Sequence, residues 1–177
     1  MKDLIFFDNI YSDSELSRYL DICNSDDKWI NEEYTDEIKA KRKVIYLNEN
    51  YNNVDINKII EAYTSILPEI TKLNFLRKLT KGFSADYKIS KYESGDNFNW
   101  HCDEYATNNK NHSWTRVLST ITYLNVNYEG GQTEFVDLVV KPEFGKTLIF
   151  PSNWCFPHRG NAVESGVKYI LVIHIWA

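Results

Sequence analysis

The stretch TRVLSTITYLNVNY, residues 115–128, carries the clearest fold signal in the chain. β-Branched and aromatic residues dominate it, and such residues are enriched in strands. Similar runs lie on either side, separated by Gly, Asn and Pro: FSADYKISKY before it, and GQTEFVDLVV, KTLIFP and VKYILVIHIWA after it. We therefore expect roughly seven or eight short strands from Phe83 onward, the pattern of a sandwich, a barrel or a double-sheet jelly roll.

The first 82 residues have a different pattern. SDSELSRYLDICN, residues 12–24, places Ser12 three positions before Glu15, as a capping box does, and continues with apolar residues at helical spacing. We expect a polar loop over residues 24–40, a short strand at KVIYLN and a second helical stretch over residues 55–79. Helices followed by strands, at about the length of one domain, predict a single domain in which the helices buttress one face of a sheet.

Composition and charge argue against several classes of protein. The formal net charge of −5 and the pI near 5.4 leave no broad basic field, which disfavours binding to nucleic acid or to an anionic membrane. The apolar run near the N-terminus is only four residues long, too short for a signal peptide or a membrane span. Cys23, Cys102 and Cys155 are odd in number and widely spaced, so we expect a reducing cytoplasm rather than a disulfide framework.

NFNWHCDEY, residues 97–105, places two metal-capable side chains, His101 and Asp103, two positions apart. On a strand these two would share one face, with Cys102 pointing away. The same short pattern also occurs on polar turns, so a metal site needs a third ligand, and His158 in FPHRG is the candidate. Two histidines and one carboxylate that leave other positions open are typical of non-haem Fe(II) oxygenases, whereas a structural zinc site is closed.

Two further features accompany this pattern. EYATNNKNHSW, residues 104–114, directly follows the His-Asp pair, and we interpret this long polar segment as a loop that forms a lid. Lys168 opens the last predicted strand ten residues after His158. If its face of the strand lines a cavity, Lys168 needs an anionic partner such as a dicarboxylate, because an unpaired buried charge is unfavourable. The alternative is a lysine at a strand edge in water.

The segments KYESGDNFNWHCD, RVLSTITYLN followed by EGGQTEF, and PHRGNAVESGVKYILVIHIW, in this order, resemble the motifs of the 2-oxoglutarate and Fe(II)-dependent prolyl 4-hydroxylase-like dioxygenases. The resemblance covers residues 83–177. It implies an α+β fold with a double-stranded β-helix (jelly-roll) core in that half of the chain. It also implies one dioxygenase domain over residues 1–177, in which residues 1–82 give mainly helical support.

The resemblance also implies roles for the residues that match the motifs. His101, Asp103 and His158 resemble the iron ligands, which would make them the catalytic centre. Lys168 resembles the residue that pairs with the distal carboxylate of 2-oxoglutarate.

Four further positions are interpreted in the same way. Tyr92 and Tyr123 match tyrosines that hydrogen-bond 2-oxoglutarate, and Thr133 is a weaker match to a hydroxyl in the same pocket. The alternative for each tyrosine is a core aromatic with a satisfied hydroxyl. Arg116 matches an arginine that contacts the peptide substrate, and its alternative is a surface salt bridge. His174 stands where relatives often carry tryptophan, and it is expected either behind the metal ligands or in the core.

The activity implied by the resemblance is hydroxylation of a prolyl residue in a peptide or protein, with decarboxylation of 2-oxoglutarate to succinate and CO2. Fe(II), 2-oxoglutarate and O2 are the implied cofactors and co-substrates, and ascorbate is a further candidate. One rival is a hydroxylase of a free amino acid or another small molecule, and a cavity open at both ends would favour the peptide instead. The other rival is a non-catalytic metal-binding or sensor module on a jelly roll, which has no need of Lys168 with Tyr92 and Tyr123.

Overall fold

The computed structural model describes residues 5–25, 28–33, 40–47, 56–66, 84–109 and 112–177. Its elements, in chain order, are β1 (Phe6–Asp8), α1 (Asp13–Asn24), β2 (Ile30–Glu33), β3 (Lys41–Tyr46), α2 (Ile56–Ile66), β4 (Ser84–Tyr92), β5 (Phe98–His101), β6 (Ala106–Asn109), β7 (His112–Tyr123), β8 (Tyr128–Gly130), β9 (Thr133–Phe135), β10 (Leu138–Val140), β11 (Thr147–Pro151), β12 (His158–Gly160), β13 (Val163–Gly166) and β14 (Lys168–Trp176).

The strands form two main antiparallel sheets. The larger has the order β1-β11-β7-β14-β4-β3-β2, and β6 pairs with the start of β7. The smaller has the order β10-β9-β12-β5, and β13 pairs with β8 in a separate ribbon. Side chains from both main sheets join in one buried cluster, which includes Tyr92, Phe98, Ile121, Tyr123, Phe135, Phe150, Ile170 and Val172. Two sheets around a shared apolar core are the expected jelly-roll architecture.

Both helices pack on the other face of the large sheet. Helix α1 begins with the predicted capping box, in which Ser12 accepts from the backbone of Glu15 and the Glu15 carboxylate accepts from the backbone of Ser12. A second buried cluster joins the helices to the sheet, and it includes Leu16, Tyr19, Cys23, Ile59, Tyr63, Ile89, Leu171, Ile173 and Ile175. The prediction that the helices buttress one sheet face is therefore confirmed.

Strand β14 separates these two clusters by simple alternation. Ile170 and Val172 belong to the cluster between the sheets, whereas Leu171 and Ile173 belong to the cluster under the helices. Lys168 has the same parity as Ile170, so its side chain is on the inner face. This face of β14 lines a cavity, which was the condition for Lys168 to need an anionic partner.

The structure departs from the sequence prediction in three places. Residues 24–40, expected as a loop, contain β2, whose polar sequence INEE has little strand signal. Residues 104–114, expected as a lid loop, contain β6 and the start of β7, which pair as an antiparallel hairpin. Between Ser84 and Trp176 the described residues form eleven strands rather than seven or eight, because several are only three residues long and show no alternation.

Other sequence predictions have separate outcomes. Of the helical stretch predicted over residues 55–79, the structure shows α2 at Ile56–Ile66, and the rest lies outside the described residues. Cys23, Cys102 and Cys155 are all free, as the absence of a disulfide framework requires. No helix in the described part of the chain is long and apolar enough to cross a membrane.

Candidate active site

The two sheet strands that carry His101 and His158 pair directly with one another. His101 ends β5, His158 opens β12, and the two are cross-strand partners. Asp103 follows two residues after His101, and one potential ligand atom of each residue lies within 4.8 Å of those of the other two. His101 Nε2 lies 3.5 Å from Asp103 Oδ1, and His158 Nε2 lies 3.7 Å from Asp103 Oδ2. The structure therefore brings together all three residues that the sequence nominated as metal ligands.

Backbone carbonyls orient both imidazoles. His101 Nδ1 is 2.7 Å from the Asn99 carbonyl oxygen, and His158 Nδ1 is 3.1 Å from that of Phe156. Because a carbonyl can only accept, each Nδ1 carries the proton, and the lone pair of each Nε2 is directed toward Asp103. Such a hydrogen bond behind the ring is the usual support of a metal-binding histidine.

The protonation states suit a cation as well. Burial lowers the pKa of His158 to about 4, so its imidazole is neutral at pH 7. Burial alone would raise the pKa of Asp103, but the neighbouring histidines outweigh it and hold that pKa well below its usual range. The neutral imidazole of His158 and the ionised carboxylate of Asp103 are donors of the kind that Fe(II) takes in non-haem oxygenases. The residues present therefore fit the metal.

Aromatic rings make the floor of the site rigid. The ring of Phe98 stacks on His101 with centroids 3.6 Å apart, and Phe150 contacts His158 edge-on at 4.9 Å. Phe135 lies 5.5 Å from His158. These contacts restrict rotation of the two imidazole rings.

Lys168 is buried in the same cavity, with only 2% of its surface exposed. Its Nζ donates to the Gly131 carbonyl at 2.6 Å, and it lies 5.1 Å from the ring centre of Tyr92 and 5.8 Å from that of Tyr123. No carboxylate pairs with it among the described residues. Burial, with a smaller effect of Arg42, lowers the pKa of Lys168 to about 7. The alternative of an edge lysine in water is wrong, and the ammonium still has N–H donors to offer to an anion.

The two predicted tyrosines are also buried, but they have different partners. Tyr123 donates its hydroxyl proton to Thr133 Oγ1 at 2.8 Å, so two residues that the sequence nominated separately form one unit. Tyr92 accepts a hydrogen bond of 2.8 Å from Nη1 of Arg42. Tyr92 and Thr133 line the cavity, whereas the hydroxyl of Tyr123 reaches it only through Thr133.

Arg116 and His174 meet at a carboxylate that the sequence analysis did not single out, Asp86. Arg116 Nη2 lies 3.1 Å from Asp86 Oδ2, and His174 Nδ1 lies 2.7 Å from Asp86 Oδ1. The other ring nitrogen of His174, Nε2, lies 3.8 Å from Asp103 Oδ2. Both residues line the cavity. Arg116 therefore forms a salt bridge, as its alternative predicted, and also lies at the candidate site. His174 lies directly behind Asp103.

Three charged residues on the large sheet were not predicted from the sequence to belong to the site: Glu32, Arg42 and Lys88. Glu32 Oε2 accepts from Arg42 Nε at 2.6 Å, and Glu32 Oε1 accepts from Lys88 Nζ at 3.0 Å. Arg42 and Lys88 are both buried and line the cavity. Charged residues are rarely buried, so their burial was not expected. The nearest sequence signal was the predicted strand KVIYLN, which directly follows Arg42.

The cavity over the three ligand residues has a volume of about 170 Å³. A second hollow of about 360 Å³ shares Lys88, Tyr105 and Arg116 with it and continues to Glu32 and Tyr46. The site therefore opens into a groove along the large sheet. Glu104 and Tyr105, from the segment predicted as a lid, line the entrance to the cavity.

Known proteins and structures give an independent view of this arrangement. The sequence profile of the 2OG-Fe(II) oxygenase superfamily matches residues 87–176, which is just over half of the chain. Comparison with curated protein sequences finds no match.

Several solved structures share the fold. The viral collagen prolyl hydroxylase of Paramecium bursaria Chlorella virus-1, solved with 2-oxoglutarate, is similar with a TM-score of 0.72 and 18% identity over 98% of this chain and 96% of that one. A Pseudomonas putida prolyl-4-hydroxylase is similar with a TM-score of 0.66 and 15% identity over 97% of this chain and 91% of that one. A Trichoplax adhaerens prolyl hydroxylase, in complex with a hypoxia-inducible-factor peptide, is similar with a TM-score of 0.64 and 17% identity over 98% of this chain and 84% of that one. At these identities the likeness concerns the fold, and the profile match carries the assignment: the chain belongs to the 2OG-Fe(II) oxygenase superfamily.

Proposed function

We propose that this 2-oxoglutarate and Fe(II)-dependent dioxygenase hydroxylates a prolyl residue in a peptide or protein. His101, Asp103 and His158 would bind the iron, and Lys168 would bind the distal carboxylate of 2-oxoglutarate. The observation that carries this proposal is the presence, in one cavity, of the three converging ligands and of a buried ammonium without a carboxylate partner among the described residues. A simple metal-binding module needs only the three converging ligands, so the additional presence of the buried ammonium supports an enzyme.

The reaction of this family converts 2-oxoglutarate, O2 and a C–H bond of the substrate into succinate, CO2 and an alcohol. Iron, when bound, supplies the oxygen activation, and the protein orients the reactants. Lys168 offers N–H donors to a carboxylate, and Thr133 can donate its hydroxyl because its oxygen already accepts from Tyr123. The aromatic floor under His101 and His158 keeps bulk water from that side of the metal.

The groove supports an extended substrate over a free amino acid. It continues from the cavity past Arg116 and Tyr105 toward Tyr46, so residues on one side of the target prolyl residue could lie along the large sheet. Arg116 lines both hollows and uses Nη2 for Asp86, and its guanidinium has further N–H donors that a peptide carbonyl could accept. Tyr105 is exposed at the entrance and offers an apolar face to a prolyl ring.

The proposal also covers the arrangement and setting of the chain. Residues 83–177 would form the catalytic part, and residues 1–82 would support it as part of one domain. Three free cysteines favour a reducing compartment such as the cytoplasm.

The test is an assay with Fe(II), 2-oxoglutarate and a panel of proline-containing peptides, with peptide mass and succinate both measured. We expect a peptide to gain the mass of one oxygen atom in step with succinate formation, and we expect D103A to lose both. Asp137, an exposed carboxylate in the turn between β9 and β10, provides the matched control D137A.

Two results would contradict the proposal. Equal succinate formation by D103A would exclude Asp103 as a ligand. Hydroxylation of free proline or another small molecule, with no peptide modified, would favour the rival small-molecule hydroxylase.

A further inference from the structure

The N-terminal half of the chain contributes an arginine to the active-site cavity. Arg42 lies on β3, outside the residues that match the superfamily profile, and only 6% of its surface is exposed. In the antiparallel pairing of β3 with β4, Lys43 is opposite Lys91, so Arg42 lies beside Tyr92. Its guanidinium lines the same cavity as Lys168 and lies 4.3 Å from the ring centre of Phe98.

Glu32 holds this arginine in one orientation. The Oε2 atom of Glu32 accepts from Nε of Arg42 at 2.6 Å and lies 2.5 Å from Nη2. Burial opposes ionisation of Glu32, but the charges of Arg42 and Lys88 outweigh it and lower the pKa of Glu32. Tyr46 and Lys88 also donate to this carboxylate, which fixes it further. Glu32 therefore balances the charge of Arg42 and leaves Nη1 pointing at Tyr92.

The hydrogen bond from Arg42 decides which way the Tyr92 hydroxyl acts. A guanidinium has donors and no acceptor, so the 2.8 Å contact requires the Tyr92 oxygen to accept. Burial raises the pKa of Tyr92, so the hydroxyl keeps its own proton. That proton has no acceptor among the described residues and is available to the cavity. Tyr123 differs, because its proton is already donated to Thr133.

We propose that Arg42 is a positioning residue that commits Tyr92 to donate its hydroxyl proton to 2-oxoglutarate, beside Lys168. The inference rests on the proposed function, since it requires 2-oxoglutarate to bind at Lys168. Glu32 and Arg42 are the route by which strands β2 and β3, from the N-terminal half, shape co-substrate affinity.

The test measures binding rather than turnover. The dissociation constant of 2-oxoglutarate is determined without oxygen on the Mn(II)-loaded protein by calorimetry, for wild type, Y92F, R42K and the double variant. Removing a hydrogen bond to a charged group weakens binding by roughly tenfold, so we expect about that rise for Y92F. We expect a similar rise for R42K, because a lysine keeps the charge but cannot reach both Glu32 and Tyr92.

The double variant tests the coupling. If Arg42 acts through Tyr92, the combined effect is no larger than that of Y92F alone. Affinity for Mn(II) is expected to stay at the wild-type value in all three variants. K43M removes a half-exposed cation on the next residue of β3, which pairs with Glu93, and it should bind 2-oxoglutarate as wild type does. Should R42K fail to fold, E32Q probes the same route, with an expected rise smaller than that of Y92F.

Each outcome separates this inference from the proposed function. An unchanged dissociation constant in R42K, or additive effects of R42K and Y92F, would overturn the role of Arg42. K168M is measured beside them: a weakened K168M with an unaffected R42K would remove only the inference. A K168M variant that binds 2-oxoglutarate as wild type does would remove the proposed co-substrate site and the inference with it.

Discussion

Replacing Lys168 with methionine should have opposite effects on co-substrate binding and on the stability of the ligand-free protein. Lys168 is fully enclosed, and its charged form lacks a carboxylate partner among the described residues. Burial, together with Arg42, lowers its pKa from 10.5 to about 7, which corresponds to roughly 5 kcal/mol against the charged form at about 1.4 kcal/mol per pKa unit. The enclosed ammonium therefore destabilises the ligand-free protein.

Two magnitudes follow from this burial. Methionine has a similar volume and no charge, so K168M should raise the free energy of unfolding of the ligand-free protein. We expect a rise of about 2–4 kcal/mol rather than the full value of roughly 5 kcal/mol, because the variant also loses the hydrogen bond from Lys168 to the Gly131 carbonyl. The same variant should weaken 2-oxoglutarate binding by at least about a hundredfold, since removing one partner of a buried ion pair costs about 3–5 kcal/mol.

The assay is urea unfolding with and without 2-oxoglutarate on the Mn(II)-loaded protein. Wild type should gain stability with added 2-oxoglutarate, and K168M should gain almost none at the same concentration. K91M is the matched control: Lys91 lies on the neighbouring strand β4 and pairs with Glu93, and its loss should leave the stabilisation unchanged. A K168M variant that is less stable than wild type and is still stabilised fully by 2-oxoglutarate would refute the reasoning.

Three further predictions concern pH, packing and the helix cap. The folded-state pKa of Lys168 lies below its unfolded value, so the unfolded chain binds more protons than the folded chain between about pH 7 and 10.5. The stability of wild type relative to K168M, measured by urea unfolding, should therefore rise with pH across that window. A stability difference that does not change with pH would contradict this prediction. T133V leaves the buried Tyr123 hydroxyl without its acceptor, so the variant should lose about 1–3 kcal/mol of stability and bind 2-oxoglutarate more weakly in calorimetry. If neither stability nor affinity changes, the hydrogen bond between Tyr123 and Thr133 has no role in either. S12A removes the side-chain half of the capping box and should cost about 1 kcal/mol in thermal unfolding while leaving 2-oxoglutarate affinity unchanged; an affinity loss would show that helix α1 acts on the site.

Part of the candidate active site was predictable from the local pattern of the chain. The alternation along β14 carried Lys168 to the inner face, and this inference needs only the local period of the sequence. The pairing of His101 with Asp103 was also expected, but not by the route observed. Strand β5 ends at His101, so Asp103 lies just beyond the strand, with its Oδ1 3.5 Å from His101 Nε2.

The supporting residues were not predictable because they depend on contacts between distant strands. Glu32 lies in the segment predicted as a loop, and Arg42 directly precedes the predicted strand KVIYLN. Their burial depends on the pairing of β2 with β3 and of β3 with β4. Asp86 accepts from three side chains, those of Arg116, His174 and Trp176, and this follows from the register of three neighbouring strands. Long-range pairing of this kind leaves no periodic signal in the sequence.

The hairpin of β6 and β7 shows a related limit. Its sequence is polar on both faces, and strand prediction relies on one apolar face. The pairing is visible only when the two segments are placed together. Glu104 and Tyr105, which directly precede the hairpin, line the cavity, so the start of the polar segment lies beside the site.

The most direct test of the central claim is an anaerobic titration of the protein with Fe(II) and then 2-oxoglutarate, followed by visible absorption. Convergence of the imidazoles at 101 and 158 with the carboxylate at 103 on one ferrous ion should produce the weak charge-transfer band of the chelate, and H158A should lack it. A wild-type protein that binds both components without the band, or an H158A variant that shows it unchanged, would contradict the account.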